Sequence, residues 1–156
     1  MSVPLDQYIL DLMNNERAAS GLPPYIRDTD MDAAANAHSA LWLTVGDCPA
    51  TTIGMVSWGD GHICPGESDP CTRISTALGG VPLTRCAENV GQGYDLSASP
   101  NYYGIILSIH QQFMSEVLSG GFNHHDNIMS SIFDKVGIGV ATSDGSIRFT
   151  VDFAKV

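Results

Sequence analysis

Basic residues are scarce in this chain: 7 lysines and arginines stand against 17 aspartates and glutamates, a formal charge of -10. The average field repels nucleic-acid phosphates and anionic membrane surfaces, which argues against a nucleic-acid partner. Long apolar runs are missing too. Nothing approaches the roughly 18 continuous apolar residues of a bilayer-spanning helix, and Met1-Ser2-Val3-Pro4 lacks a basic start with an apolar run. No membrane span is expected, so the chain is either cytosolic or has lost a signal. Several catalytic signatures are also absent. There is no Gly-x-Ser-x-Gly turn, no His-Glu-x-x-His helix and no Gly-Lys-Ser/Thr after a glycine-rich loop, which leaves serine nucleophiles, helical zinc-protease sites and phosphate loops without support.

The 156 residues, 44% of them hydrophobic, suffice for one compact domain over 1–156 with a real core and leave no room for a second. A monomer is expected. The four cysteines, Cys48, Cys64, Cys71 and Cys86, form no Cys-x-x-Cys pair and crowd into the loop-rich middle third. That usage points to two disulfides and an exported, extracellular protein, the alternative being four reduced thiols in the cytosol. Of three connectivities, Cys64 with Cys71 closes a short loop and leaves Cys48 with Cys86, tethering the segment that carries Glu88.

Pro4 suits a first helical turn, and Leu5, Tyr8, Ile9, Leu12 and Met13 recur at helical spacing until Gly21-Leu22-Pro23-Pro24. Asp28 or Asp30 can cap a second helix through Met31, Ala34, His38, Leu41 and Val45, with Gly46 as its stop. A long loop, Asp47 to Pro70, follows; such loops are uncommon unless functional or stapled. Pro70 can open a short helix, Cys71 to Leu78, ended by Gly79-Gly80. Thr84 to Val90 reads as extended and Gly91-Gln92-Gly93 as a turn. Ile105, Ile106, Ile109, Phe113 and Val117 give a fourth helix, broken by Gly120-Gly121, with Glu116 in its last turn. An acid there opposes the helix dipole by about 0.3–1 kcal/mol if unpaired, so a polar partner is expected. His110 on that helix reads as an edge-of-core histidine. Val136, Ile138 and Val140 alternate, Asp144-Gly145 turns, and Ile147, Phe149, Val151 and Phe153 alternate again, a C-terminal β-hairpin. The sum is an α+β domain.

Four chemistry-bearing residues stand in separate segments: His62, Glu88 in Cys86-Ala87-Glu88-Asn89-Val90, Glu116 after Phe113-Met114-Ser115, and His124 in His124-His125-Asp126-Asn127-Ile128-Met129. These segments, with Asn15-Glu16-Arg17 and Gly21-Leu22, resemble in order the CAP superfamily, also called SCP/TAPS, from about Leu5 to Ala154. The form of the His124 segment is similar to that of bacterial members. His62 enters by its spacing to Arg73, and His38, in Ala37-His38-Ser39, competes for its place. Ala87 and Asn123 stand where the family has glycines, Phe113 replaces a frequent tryptophan, and Ser119-Gly120-Gly121-Phe122 looks like an insertion. The resemblance implies a three-layer α-β-α sandwich with a central antiparallel sheet and a large cleft. It also implies sterol or fatty-acid binding, divalent metal, or cell-surface interactions.

Two imidazoles and two carboxylates suit a borderline divalent ion such as zinc, so His62, Glu88, Glu116 and His124 are a candidate metal site. The alternative is a hydrogen-bonded cleft lining without metal. Asn89 and Asn127 are secondary candidates that also suit holding loop backbone, and His125 is expected to face solvent. Three functions follow: a cleft that binds metal, a small apolar ligand or a surface protein without dedicated catalysis; a metal-dependent hydrolase using water activated by Glu88 or Glu116; or an envelope or adhesion module working through the Asp47–Pro70 loop.

Overall fold

The computed structural model describes residues 2–116 and 123–156. Val117, the Gly120-Gly121 break and the Ser119–Phe122 insertion lie outside them. Helix α1, Leu5–Ala19, buries Ile9 and Met13 of the stripe that its periodicity marks out, together with Leu10, while Leu5, Tyr8 and Leu12 are partly buried against the same core. Helix α2, Thr29–Val45, is capped by Asp28, which accepts the backbone N–H groups of Asp30 and Met31, and ends at Gly46 with φ +80°. Helix α3 spans Pro70–Ala77, with Asp69 as its cap. Helix α4, Tyr102–Met114, and α5, His124–Met129, are capped by Asn101 and Asn123.

The central sheet is antiparallel, in the order β3–β5–β4, with β3 Arg85–Tyr94, β4 Lys135–Ser143 and β5 Ser146–Lys155. Asp144 and Gly145 both have positive φ, the backbone of a type I′ turn, which matches strand twist and sets the β4–β5 register. Strand alternation divides the core. Ile147, Phe149, Val151 and Phe153 of β5, with Val136 and Ile138 of β4, meet Ile9, Met13, Ile106, Phe113 and Ile128 from α1, α4 and α5. Thr150, Asp152 and Ala154 point to the opposite face, where Ser39 of α2 bonds Thr150 and Met31 and Ile74 pack on Ala154. The domain is thus a three-layer α-β-α sandwich, with α2 and α3 on one side and α1, α4 and α5 on the other.

On the α2 side β4 presents glycine. A Cβ on Gly137 would lie 2.4 Å from Met31 and one on Gly139 2.1 Å from the Asn36 nitrogen, so the helix rests directly on the strand backbone. Along the outer edge of β4, Val136 donates to the Ile26 carbonyl and accepts from the Asp28 N–H, while Ile138 and Val140 donate to the Asp32 and Asn36 side chains of α2. The outer edge of β3 borders a cleft.

Four expectations need correction. The disulfides are Cys48–Cys64 and Cys71–Cys86, not Cys64–Cys71 and Cys48–Cys86. The chain after α2 doubles back, with the Gly61 N–H on the Cys48 carbonyl, which brings Cys64 beside Cys48. Helix α3 packs along β3 and sets Cys71 against Cys86. Second, the Asp47–Pro70 loop contains a hairpin, β1 Thr51–Ile53 and β2 Val56–Trp58. Its two-residue turn opens on Gly54 at φ +61°. Third, Gly91-Gln92-Gly93 continues β3, the glycines admitting the Phe149 ring and Ile105 where a Cβ would collide. Fourth, α4 stops at Met114, leaving Glu116 past its end rather than in its last turn.

Candidate functional site

Neighbouring residues on a strand point to opposite faces, so Glu88 and Asn89 of β3 serve different sides of the sheet. Glu88 faces α2 and α3 and is wholly enclosed. His62 Nδ1 lies 2.8 Å from its Oε1, and Arg73 Nη2 from α3 donates to its Oε2 at 3.0 Å. The same guanidinium nitrogen donates to the His62 carbonyl at 2.6 Å, fixing loop, helix and strand together. Burial raises the Glu88 pKa to about 7 against the pull of Arg73. Burial, with the charges of His38 and Arg73, lowers His62 to about 4. At neutral pH His62 is therefore a neutral imidazole, and whenever Glu88 is ionised a proton on Nδ1 donated to it leaves Nε2 as the lone-pair nitrogen.

Asn89 organises the other side. Its Oδ1 accepts from Asn127 Nδ2 at 2.8 Å, and its Nδ2 donates to the His124 carbonyl at 3.2 Å. The two amides thus clamp α5 to β3, the backbone-holding role that short amides suit. His124 stacks on Phe113, ring centroids 4.1 Å apart. Glu116 grips it twice, accepting from the backbone N–H at 2.8 Å and meeting Nδ1 at 2.6 Å. That is the polar partner expected for Glu116.

The two His–Glu pairs flank a cleft of about 610 Å³ along the β3 edge. Ile53, Val56 and Trp58 of the β1–β2 hairpin form its apolar wall with Ala87 and the Cys71–Cys86 bridge; His62, Glu88, Asn123, His124 and Asn127 form its polar wall. Glu116 stands behind His124 rather than on the surface of the cleft. His38 lies off the cleft, fully buried, with Nδ1 on the Glu67 carboxylate at 2.8 Å and Nε2 on the Gly61 carbonyl at 2.8 Å. It ties the loop to α2. His110 is buried at the core edge and meets Glu16 at 3.3 Å. His125 is half-buried, 3.3 Å from Asp126.

The sequence offers His62, Glu88, Glu116 and His124 either as a metal site or as a hydrogen-bonded lining without metal. Among the described residues, only His38, Cys64 and Glu67 bring three ligand atoms within 4.8 Å of one another, and Cys64 is held in a disulfide. The tetrad offers a different arrangement: two imidazoles, each with Nδ1 on a carboxylate. Metal-bound histidines commonly donate their other ring N–H to a carboxylate in this way, which fixes the ring and its tautomer.

Three site residues escaped the sequence reading. Arg73 served only as a spacing marker for His62. Trp58 lies in a stretch whose composition suggests loop, although Gly54-Met55 between Thr-Thr-Ile and Val-Ser-Trp is a two-residue hairpin signal. Asp152 is 0% exposed on central strand β5, directly across the ladder from Glu88. Neither of its oxygens has a hydrogen-bond partner, nor does Nη1 of Arg73. Burial, reinforced by the Glu88 carboxyl, raises its pKa well above the usual carboxylate value. The two acids act on each other without a bond of ordinary geometry, and a neutral Asp152 avoids placing two buried negative charges side by side. Asp152 belongs to the polar half of the last strand's alternation, which faces the second helical layer and is buried at Thr150 and Asp152.

No protein-family model matches the chain, and no curated protein matches it in sequence. Solved structures do. An extracellular protein containing an SCP domain from Bacillus anthracis superposes with a TM-score of 0.64 at 19% identity, over 99% of this chain and 45% of that one. An outer surface protein of Borrelia burgdorferi gives 0.66 at 18%, over 99% and 96%. A cysteine-rich secretory protein of Staphylococcus aureus gives 0.56 at 14%, over 99% and 40%. The chain spans less than half of the Bacillus and Staphylococcus proteins and nearly all of the Borrelia one. Its fold is that of the SCP domains, the CAP fold.

Proposed function

We propose that the chain is an exported binding domain whose cleft takes a small ligand, apolar along its body and polar at one end, without dedicated catalysis. The observation that carries this reading is the chemical division of the cleft, with Ile53, Val56 and Trp58 on one wall and the His62 and His124 imidazoles on the other. A volume of about 610 Å³ lies within the range of small-molecule sites. Export is supported by the two disulfides, and by structural neighbours whose names include an extracellular, a secretory and an outer surface protein. Among the described residues, no helix is long and apolar enough to cross a membrane. Binding is favoured over turnover because both Glu88 oxygens are engaged, by His62 and Arg73, which leaves a poor general base. The test is titration with a dansylated fatty acid. Saturable binding weakened by Trp58→Ala and by His124→Ala supports the reading, and no binding in the native protein sinks it.

A second reading, a divalent cation, is favoured by the Nδ1–carboxylate pairing of His62 and His124. Their Nε2 atoms would be the protein ligands, with Glu88 and Glu116 orienting the rings, and the ion would supply positive charge for an anionic ligand group. Zinc calorimetry at pH 7.5 decides it: one-to-one binding lost in His62→Ala/His124→Ala supports a cation, and no heat in the native protein removes it.

A further inference from the structure

The β1–β2 hairpin has a property that the cleft does not require. From Pro49 to Gly59 it carries no charged residue, in a chain of formal charge -10. Its register puts Thr51, Ile53, Val56 and Trp58 on one face and the Thr52–Ser57 hydroxyl pair on the other. At its end Ile53 is 43% exposed, Val56 53% and Met55 fully exposed at 102%. The two-residue turn gives this tip a defined shape, and the base is tied by the Ala50 N–H on Asp60 Oδ1 at 2.8 Å. Acids reappear only there: Asp47 and Asp60 are both exposed.

We propose that this hairpin is a finger that docks on the surface of a zwitterionic, choline-headed lipid bilayer. An uncharged tip with three large apolar side chains enters the headgroup–acyl boundary without desolvating an ion. The acidic base then meets the outermost part of the headgroup layer, which in a choline lipid is a quaternary ammonium. The same acids, and the net charge behind them, disfavour an anionic bilayer. Ile53, Val56 and Trp58 also line the cleft, so docking sets the cleft mouth at the lipid surface. The proposal stands whatever the cleft holds.

The test is flotation of the full chain with phosphatidylcholine vesicles at millimolar lipid, alongside quenching by brominated phosphatidylcholine. The chain has two tryptophans and Trp42 is buried, so Trp58 reports insertion in the native protein without any substitution. Expected are co-flotation, quenching of Trp58, a roughly tenfold or larger drop in partitioning for Met55→Asp, and weaker binding when phosphatidylserine is added. Near-UV circular dichroism verifies the variant's fold, and if it fails, the quenching of native Trp58 decides alone. Native protein that does not float, unquenched Trp58, a folded Met55→Asp that floats equally well, or stronger binding to phosphatidylserine vesicles would each overturn the proposal.

Discussion

Replacing Asp152 by asparagine should flatten the dependence of stability on pH. Glu88 and His62 largely compensate each other. Unfolded, they release protons near 4.5 and 6.5; folded, His62 does so at about 4 and Glu88 at about 7. Between 4.5 and 6.5 both states of the pair therefore hold one proton, and the pair contributes almost no slope. Asp152 has no such counterweight. Its folded pKa is raised above 3.8 by burial and by Glu88, so the folded chain keeps a proton that the unfolded chain has released. For an acid shifted upward, the stabilisation is complete below the unfolded pKa and is lost as pH rises toward the folded one. One proton sets a slope of at most about 1.4 kcal/mol per pH unit. Asparagine preserves the shape and a donor but has no proton to lose. The two proteins should be most alike near pH 4, with the variant gaining on the native chain as pH rises. Urea unfolding at about one-unit intervals from pH 4.5 to 7.5 would measure this, and parallel profiles would refute the assignment of Asp152 as a neutral acid.

Gly139→Ala should cost about 3 kcal/mol, because the new methyl meets helix backbone that has nowhere to move; a melting temperature within a degree of native would contradict this packing. Arg17, in the last turn of α1 and buried, donates to the carbonyls of Pro23, Ile128 and Ser130 and lies 3.6 Å from the Tyr25 ring centre. Arg17→Met should lower stability by about 3 kcal/mol and speed hydrogen exchange in α5 before other helices, as amide exchange by mass spectrometry can read.

The elements that were legible in the sequence are those where local chemistry and tertiary packing agree. Asp28 caps α2, Gly46 ends it, and Asp144-Gly145 turns the last hairpin because their backbone demands are local. The failures share a cause. Cysteine pairing depends on how α3 lies along β3, which no spacing reveals. Gly91 and Gly93 resemble turn residues until Phe149 and Ile105 are seen to need the room. Within the site, His62, Glu88 and His124 reach one cleft from separate segments, whereas His38 serves the scaffold. The difference lies in Glu67 and Gly61, two loop positions whose approach to α2 has no sequence signature. Asp152 gives no signal of its own because a polar residue in an alternating strand looks like one that faces water.

Among the described residues the central sheet has three strands and so two flanks, and the chain treats them unequally. On one, residues 26–28 occupy the hydrogen-bonding groups of Val136; on the other, Ala87 to Gly91 are buried beside the cleft. Strand edges left open are templates for uncontrolled pairing between copies. Here one flank is closed by the chain itself and the other is shielded by the elements that wall the cleft, so mutations that loosen the hairpin or α5 would raise the risk of aggregation as well as reshape the cleft.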